Sequence, residues 1–237
     1  MAGVNTSNAG DRRTLQEAAI AFVVEHINGL DGPSEYSKRY RIEHCERVAR
    51  IGVKVARAAG LDELKLEVAC LLHDVGKWDA AKPVDHGRAG ALLASDFLSE
   101  VGPEFGLSAE DVTEIAQGIA MHTDGEWHPR TDDQGTDANA AGRPYLRFDS
   151  EPSILARSVG DCDNVDRFSV YRIADTLRYW DFMNLPRAEQ AERIRDYLQQ
   201  LDANRGYVCA TDACQQLWTE ALDFQQDFFT RLAAEVG

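Results

Sequence analysis

The chain of 237 residues lacks the features that mark membrane and secreted proteins. No apolar run approaches the roughly 20 residues that a membrane-spanning helix requires, and residues 1–14 contain no apolar stretch like that of a secretory signal peptide. The five cysteines are odd in number and include no CxxC pair, which is typical of reduced core thiols in a cytosolic protein. We therefore expect a cytoplasmic protein without a membrane partner.

Positive charge is also scarce in this sequence. The 25 lysines and arginines are outnumbered by 40 aspartates and glutamates, which gives a formal net charge of −15 at pH 7. The negative field of such a chain repels duplex nucleic acid, and the sequence contains no basic stripe or nucleic-acid motif. Duplex nucleic acid is therefore excluded as a general partner. An anionic small molecule can bind only in a locally positive pocket or on a metal ion.

Strand alternation is missing as well, and apolar residues recur instead at helical spacing. Residues that suit helix N-caps stand at the predicted helix starts: Thr14, Ser34, Asp62, Asp85 and Ser108. The pattern predicts an all-α protein with one helical domain over residues 14–237, preceded by a flexible N-terminus at residues 1–13. Further helices are expected over residues 174–237. Within them, the aromatic-rich segment 218–229 suits either the core or the contact of a homodimer.

Residues 124–149 differ in composition from the rest of the chain. The segment is rich in glycine, aspartate, proline and asparagine and lacks helical periodicity, and loops of this length are usually functional or disordered. It follows His122 directly, so we expect it to start near any site that this histidine helps to form. One interpretation is a lid that closes over an anionic substrate, and the other is a disordered insertion. The side chains that suit a lid are Trp127, His128, Arg130, Arg143, Tyr145 and Arg147.

Histidine is scarce, but four of the six histidines lie on the inward faces or at the ends of four different predicted helices. His73 stands beside Asp74 directly after an apolar run, where an imidazole and a carboxylate are costly unless they are paired or bind a metal. A single core histidine usually bonds to a carbonyl. Four in one core lack enough partners, whereas a metal ion takes up all their lone pairs. The four predicted metal ligands are His44, His73, His86 and His122.

The order of these residues resembles that of the HD-domain superfamily of metal-dependent phosphohydrolases. The motifs are HCERV at His44, LLHDVGK at His73 and Asp74, HGRAGA at His86, IAMH at His122, and DCDNVD near the end. The resemblance extends over about residues 40–173 and implies an all-helical fold with a metal-binding core. It implies one metal ion bound by His44, His73, Asp74 and a late aspartate. In two-metal members of the superfamily, the positions of His86 and His122 hold a second ion with Asp74 bridging.

Three aspartates compete for the last ligand position: Asp161, Asp163 and Asp166. The superfamily pattern places an aspartate after a small residue, with an apolar residue two positions later. The stretch CDNV fits this pattern, so the resemblance favours Asp163. On a helical wheel, Asp163 also lies nearer the face of Leu155 and Val159 than Asp161 does. Asp166 lies closer still to the centre of that face and suits a partner that orients a ligand histidine.

The resemblance implies hydrolysis of a small phosphorylated substrate, a nucleotide or another metabolite, by a metal-activated water. Imidazole and carboxylate ligands suit Mn, Fe, Co, Ni or Zn, and the sequence does not choose among these divalent ions. Asp74 is expected to bridge the two ions and to orient the water. Lys77 follows Asp74 by three residues, and we expect it to act in catalysis by binding the substrate phosphate. The alternative for Lys77 is an exposed lysine that stabilises a helix end.

Two arginines are further candidates for substrate binding. Arg47 lies about one helical turn after His44, where it can bind phosphate or form a salt bridge with a neighbouring carboxylate. Arg88 follows His86 in the HGRAG motif. The sequence therefore predicts Lys77, Arg47 and Arg88 as the side chains that contact the substrate.

Two other functions are compatible with the same ligands. Some relatives hold a mixed-valence di-iron centre and use oxygen to cleave a carbon bond, so an HD-type di-iron oxygenase is the alternative to a phosphohydrolase. Those relatives place tyrosine and acidic residues just before the first histidine. Here Glu35, Tyr36 and Tyr40 precede His44, but their spacing does not match convincingly. The third interpretation is a binding module whose metals are structural or lost, and the complete ligand set argues against it.

Overall fold

The computed structural model describes residues 14–123 and 135–236, and these residues form an all-α fold, as the sequence predicts. This part of the chain contains nine α-helices, and its only extended pairing is one isolated bridge between Ala138 and Pro144. The helices are α1 Leu15–Gly29, α2 Glu35–Ala59, α3 Glu63–Leu72, α4 His86–Val101, α5 Ala109–Met121, α6 Ile154–Arg167, α7 Val170–Tyr179, α8 Arg187–Asn204 and α9 Asp212–Val236. The predicted flexible N-terminus, residues 1–13, lies outside the described residues.

Most of the early helices have a side-chain N-cap at the position where the sequence predicts the helix to start. Thr14 and Glu17 form a reciprocal capping box at α1, and Ser108 and Asp111 form another at α5. Each box satisfies backbone N–H groups that the first helical turn leaves unpaired. The predicted cap of α3 is present as Asp62, and Ser34, where the sequence predicts the second helix to start, caps α2.

The prediction that Asp85 caps α4 is wrong. Asp85 directly precedes this helix, but its side chain makes no capping hydrogen bond. The buried carboxylate instead accepts hydrogen bonds from the backbone N–H and the hydroxyl of Thr136, at 2.8 and 3.0 Å. Asp85 therefore ties the described part of segment 124–149 to the start of α4.

The helices pack around a large apolar core. α2 lies against α3 and α6, α5 lies against α4 and α6, and α8 pairs with α9. From the aromatic-rich segment 218–229, Trp218 and Phe229 are buried in this core, while Phe224 is about half exposed. The five cysteines are free and buried, as predicted for core thiols. None of the described helices combines the length and the apolar character that crossing a membrane requires.

Two glycines allow α4 to approach the ends of α3 and α5 closely. Gly76 lies in the turn that follows α3, and a Cβ atom there would collide with the backbone of α4. A Cβ atom on Gly87 would lie 2.8 Å from the carbonyl oxygen of Ile119 and 3.0 Å from Nδ1 of His122. Because only glycine lacks a Cβ atom, these two positions bring the start of α4 next to the ends of its neighbours.

Candidate metal centre

Side chains from five helices or their ends meet beside a cleft of about 840 Å³. The structure brings together all six residues that the sequence predicts as metal ligands. They are His44 in α2, His73 and Asp74 just after α3, His86 at the start of α4, His122 just after α5, and Asp163 in α6. Four of the six are buried, while His86 and Asp163 are partly buried at the edge of the cleft.

Each of the four histidines is oriented by a hydrogen bond at its Nδ1 atom. In three of them, Nδ1 lies 2.6–2.7 Å from the backbone carbonyl oxygen of the residue three positions earlier. These pairs are His73 with Cys70, His86 with Pro83, and His122 with Ile119. In His44, Nδ1 lies 2.7 Å from Oδ2 of Asp166. Because these oxygens only accept hydrogen bonds, each Nδ1 carries a proton, and each ring, once it is neutral, offers a lone pair at Nε2.

The four Nε2 atoms converge on the carboxylate of Asp74. Its Oδ1 lies 3.0 Å from Nε2 of His86 and 3.6 Å from Nε2 of His122. Its Oδ2 lies 3.5 Å from Nε2 of His44 and 3.6 Å from Nε2 of His73. The two oxygens of Asp74 thus face different pairs of imidazoles, which is what a carboxylate that bridges two ions requires.

Asp163 completes one side of the cluster. Its Oδ1 lies 3.0 Å from Nε2 of His44 and 3.7 Å from Nε2 of His73, and these two Nε2 atoms are 3.1 Å apart. Candidate ligand atoms of His44, His73 and Asp163 all lie within 4.8 Å of one another, and the same holds for His73, Asp74 and His122. The cluster therefore contains two overlapping groups of potential ligands.

This set of atoms fits a metal ion better than it fits a hydrogen-bond network. With Nδ1 protonated in the neutral rings of His73 and His86, their Nε2 lone pairs face the oxygens of Asp74 at 3.6 and 3.0 Å. Oδ1 of Asp74 is buried and makes no hydrogen bond, although Nε2 of His86 is 3.0 Å away. Arg41 donates to Oδ2 of Asp74, and Nζ of Lys77 lies 3.2 Å from Nε2 of His86. The remaining lone pairs suit a divalent transition metal ion, which takes imidazole and carboxylate ligands.

The charges in the cluster keep both carboxylates ionised. Burial alone would raise the pKa of Asp74, but Arg41 and the surrounding imidazoles hold it well below its usual range. Burial opposes ionisation of Asp163 too, and the imidazoles of His44 and His73 hold its pKa well below the usual range. Asp74 and Asp163 are therefore available as anionic ligands at neutral pH.

The histidines differ in protonation because their partners differ. Burial alone would lower the pKa of His44, but hydrogen bonds to Asp163 and Asp166 raise it to about 9. Burial lowers the pKa of His73 and His86, whose Nδ1 atoms are bonded to neutral carbonyls. In the absence of metal, His44 thus holds a proton at neutral pH while His73 and His86 are neutral.

The three competing aspartates of α6 lie in different surroundings. Asp163 joins the histidine cluster. Asp161 accepts hydrogen bonds from the hydroxyl of Tyr207 at 2.6 Å and from the backbone N–H of Ala210 at 2.7 Å. Asp166 stands behind a candidate ligand histidine, in the orienting position that the helical wheel indicates for it.

Arg47 and Arg88 are not among the described residues that line the cleft, whereas Lys77 is. Nε and Nη2 of Arg47 donate to the carboxylate of Asp166 at 2.9 and 3.1 Å. This salt bridge is the alternative that the sequence leaves open for Arg47. Arg88 is buried, and its Nη1 lies 3.5 Å from Oδ1 of Asp85.

Sequence reasoning misses four arginines in the wall of the cleft: Arg41, Arg157, Arg167 and Arg172. Arg41 precedes His44 by three residues, so helical spacing already places the two on one face of α2. Arg157 and Arg167 lie on either side of Asp163 along α6. Nothing in their own residue type distinguishes them from other surface arginines, and only the packing of α6 turns them toward the cleft.

The described part of segment 124–149, residues 135–149, is irregular, as its composition predicts. Arg143 forms an exposed ion pair with Asp96 of α4, and Tyr145 is buried against α4. These contacts hold the two side chains on the outer surface of α4. Three other side chains that suit the predicted lid lie outside the described residues: Trp127, His128 and Arg130.

The HD domain family model matches residues 41–167, which is more than half of the chain, and the chain belongs to this family. The match includes all six predicted ligand positions and confirms the family that the motifs resemble. The crystal structure of a predicted HD superfamily hydrolase from an uncultured Thermotogales bacterium is similar in fold, with a TM-score of 0.57. The two chains are 20% identical, and the similarity covers 92% of this chain and 91% of the other. No curated protein matches the chain.

Proposed function

We propose that this protein is a hydrolase that cleaves a phosphate ester of a small molecule with a water activated by divalent metal ions. The observation that carries the proposal is the convergence of four imidazole Nε2 atoms on Asp74 and Asp163 beside a basic cleft. Hydrolysis, the coarser part of the proposal, is supported by the name of the similar Thermotogales protein, an HD superfamily hydrolase.

The two oxygens of Asp74 divide the cluster into two ligand sets. Oδ2 belongs to the set with His44, His73 and Asp163, and Oδ1 belongs to the set with His86 and His122. Both sets suit Mn, Fe, Co, Ni or Zn. Divalent ions bound there would polarise the phosphoryl oxygens and lower the pKa of a bound water.

Two cationic side chains beside the candidate ligands, Arg41 and Lys77, could stabilise the charge of a phosphoryl group. Charge on the phosphoryl oxygens must be stabilised during transfer, and fixed cations supply that stabilisation in a partly buried site. In this proposal, the ammonium of Lys77 donates hydrogen bonds to these oxygens from the cleft wall. Arg41 neutralises Asp74 from the other side and keeps it ionised. The ionised Asp74 can accept a hydrogen bond from the attacking water and orient it.

The alternative, an HD-type di-iron oxygenase, uses the same ligand set. The basic wall of the cleft favours an anionic substrate and therefore the hydrolase. Oxygen consumption by the iron-loaded protein with a substrate that carries no phosphate would favour the oxygenase.

Phosphate release from a panel of nucleotides, sugar phosphates and simple phosphomonoesters tests the hydrolase. The protein would be loaded separately with each of the five metals, and we expect turnover with at least one of them. Asp74→Asn should reduce the rate by about a hundredfold or more, because it removes the charge of the bridging ligand. Asp96→Asn, which changes an exposed carboxylate that pairs with Arg143, is the matched control and should remain active. A folded, metal-loaded protein that leaves every ester intact would contradict the proposal.

A further inference from the structure

The cleft wall is far more basic than the protein as a whole. The chain carries a net charge of −15, yet five cationic side chains line the cleft: Arg41, Lys77, Arg157, Arg167 and Arg172. Within residues 14–123 and 135–236, the acidic side chains that line the same wall are Asp74, Asp161 and Asp163. Two of these belong to the candidate metal centre, and Asp161 is bonded to Tyr207 and Ala210. The described residues thus give the cleft positive charge beyond what their own carboxylates neutralise, and this charge attracts anions.

Two of the arginines lie at opposite ends of one face of α6. Arg157, Gly160, Asn164 and Arg167 all line the cleft, and their spacing of three or four residues places them on one side of the helix. Ten residues of helix separate the first from the last, which corresponds to about 15 Å along the axis. Asp163 lies between the two arginines, one turn before Arg167. Along α6, the candidate ligand Asp163 therefore has an arginine on either side of it.

The guanidinium groups of Arg157 and Arg167 are available to a ligand. Both side chains are exposed, and neither forms a hydrogen bond or an ion pair with the described parts of the chain. Arg172 of α7 lines the same cleft, and its Nη1 lies 3.4 Å from Oδ2 of Asp175. Nε of Arg172 is buried without a hydrogen-bond partner. All three side chains thus retain donors that a bound anion can use.

Lys77 of the candidate metal centre and Arg167 line the same cleft. Cations that share one cleft repel each other, and an anion bound between them would relieve that repulsion.

We propose that the substrate carries two anionic groups, one at the metal centre and a second on a basic rim formed by Arg157, Arg167 and Arg172. The inference rests on the proposed hydrolase function and narrows its substrate class to small molecules with a scissile phosphate and a second phosphate or carboxylate. Guanidinium groups bind both kinds of anion in a bidentate manner, and the higher charge of a phosphate favours it. The phosphomonoester of a neutral alcohol leaves the basic rim without a partner.

Three ligands that cannot be hydrolysed test the basic rim by calorimetry on the metal-loaded protein. Propylphosphonate carries one anionic group, 3-phosphonopropanoate adds a carboxylate, and propane-1,3-bisphosphonate adds a second phosphonate on a similar carbon chain. We expect the bisphosphonate to bind at least about tenfold more tightly than propylphosphonate, with the carboxylate compound in between. Equal affinities for all three ligands would overturn the proposal.

Variants of the basic rim give the second arm of the test. Replacement of all three rim arginines by glutamine should abolish the preference for two anionic groups. The matched control is the triple variant R187Q/R195Q/R231Q, which removes the same charge from exposed positions of α8 and α9 and should keep the preference. If both triple variants lose the preference equally, net charge explains it and the basic rim is not a site. Circular dichroism verifies folding, and R167Q alone replaces the rim variant if that variant does not fold.

Binding and turnover separate this inference from the proposed function. If the protein prefers the bisphosphonate through the basic rim but hydrolyses no ester, the result would support the basic rim and contradict the hydrolase function. If the protein hydrolyses esters of neutral alcohols as fast as bisphosphates, and kcat/KM is unchanged in the rim variant, the result would support the hydrolase function and contradict the basic rim.

Discussion

His44 is a candidate metal ligand whose own pKa is raised by its carboxylate neighbours. Its Nδ1 is bonded to Asp166, and its Nε2 lies 3.0 Å from Oδ1 of Asp163. Burial alone would lower the pKa of the ring, but these carboxylates raise it to about 9. At pH 7 the ring of the metal-free protein is therefore protonated, and a metal ion bound at Nε2 must displace that proton.

We expect the affinity for a divalent metal to rise about tenfold per pH unit between about pH 7 and pH 9, and to level off above this range. The same shift stabilises the metal-free fold fully below the unfolded pKa of about 6.5, and this stabilisation is lost as the pH rises through 9. Calorimetric titration in buffers of different ionisation enthalpy would count the proton released on binding. A metal affinity that is constant from pH 7 to pH 9 would contradict this assignment.

A pair of matched variants in α6 provides the control for this prediction. Asp166→Asn removes one of the two carboxylates at His44, so the affinity should level off at a lower pH and fall about 10- to 100-fold as the ring loses its orientation. Asp161→Asn is the same substitution at another buried carboxylate of α6, one that is bonded to Tyr207 and Ala210. It should leave the pH profile unchanged. Equal losses in both variants would show that the effect is general destabilisation of the helix.

At the scale of the secondary structure elements, the contact between α4 and the turn after α3 sets the spacing of the ligands. Gly76→Ala places a Cβ atom against the backbone of α4, which cannot move away without displacing His86. We expect a loss of about 3 kcal/mol or more in the free energy of unfolding, since overpacking against backbone is not relieved by a side-chain rotation. Denaturation in urea at equilibrium measures this loss.

Gly29→Ala serves as the control for the substitution at Gly76. Gly29 is the last residue of α1, and no atom lies within 4 Å of a Cβ atom placed there. Because alanine favours a helix more than glycine does, this variant should be neutral or slightly more stable, by less than about 1 kcal/mol. If Gly76→Ala is equally harmless, the turn and α4 can separate and the proposed spacing is not fixed by this contact.

The helix starts were predictable wherever local residues determine them. Thr14, Ser34 and Ser108 cap helices in the structure because each bonds to backbone within the next turn. Asp85 shows the limit of this reasoning. Its carboxylate accepts hydrogen bonds from Thr136, which is 51 residues away in the chain. No local sequence pattern predicts that contact.

The side chains of the site were predictable to different degrees for a related reason. Histidines on apolar helix faces are rare, so their position alone indicates a site, and the six predicted ligands do lie together. Arginines on exposed helix faces are common, and the basic rim becomes visible only when α6 packs beside α2 and α5. The choice of Arg47 between a phosphate and Asp166 likewise depends on a contact across 119 residues.

At the scale of the whole molecule, the proposed ligands cross-link five helices of the core. The unfolded chain cannot present six ligands at these distances, so a metal ion at this site would bind the native state preferentially and stabilise it by mass action. A free metal concentration of 100 times Kd corresponds to about 2.7 kcal/mol. Removal of the metal with a chelator should then lower Tm by about 5–10 °C for a chain of this size. Scanning calorimetry with and without EDTA measures the change, and Asp74→Asn should show a much smaller one.

The orientation of the imidazoles has a consequence for how this site is inherited. Three of the four rings are held by the backbone carbonyls of Cys70, Pro83 and Ile119. A carbonyl is present whatever side chain a residue carries, so mutations at these three positions leave the acceptor in place as long as the local backbone keeps its shape. The fourth ring depends on the side chain of Asp166 and can lose its acceptor through a single codon change. A substitution at any of these three positions therefore keeps the acceptor of its imidazole, whereas a substitution at Asp166 removes one.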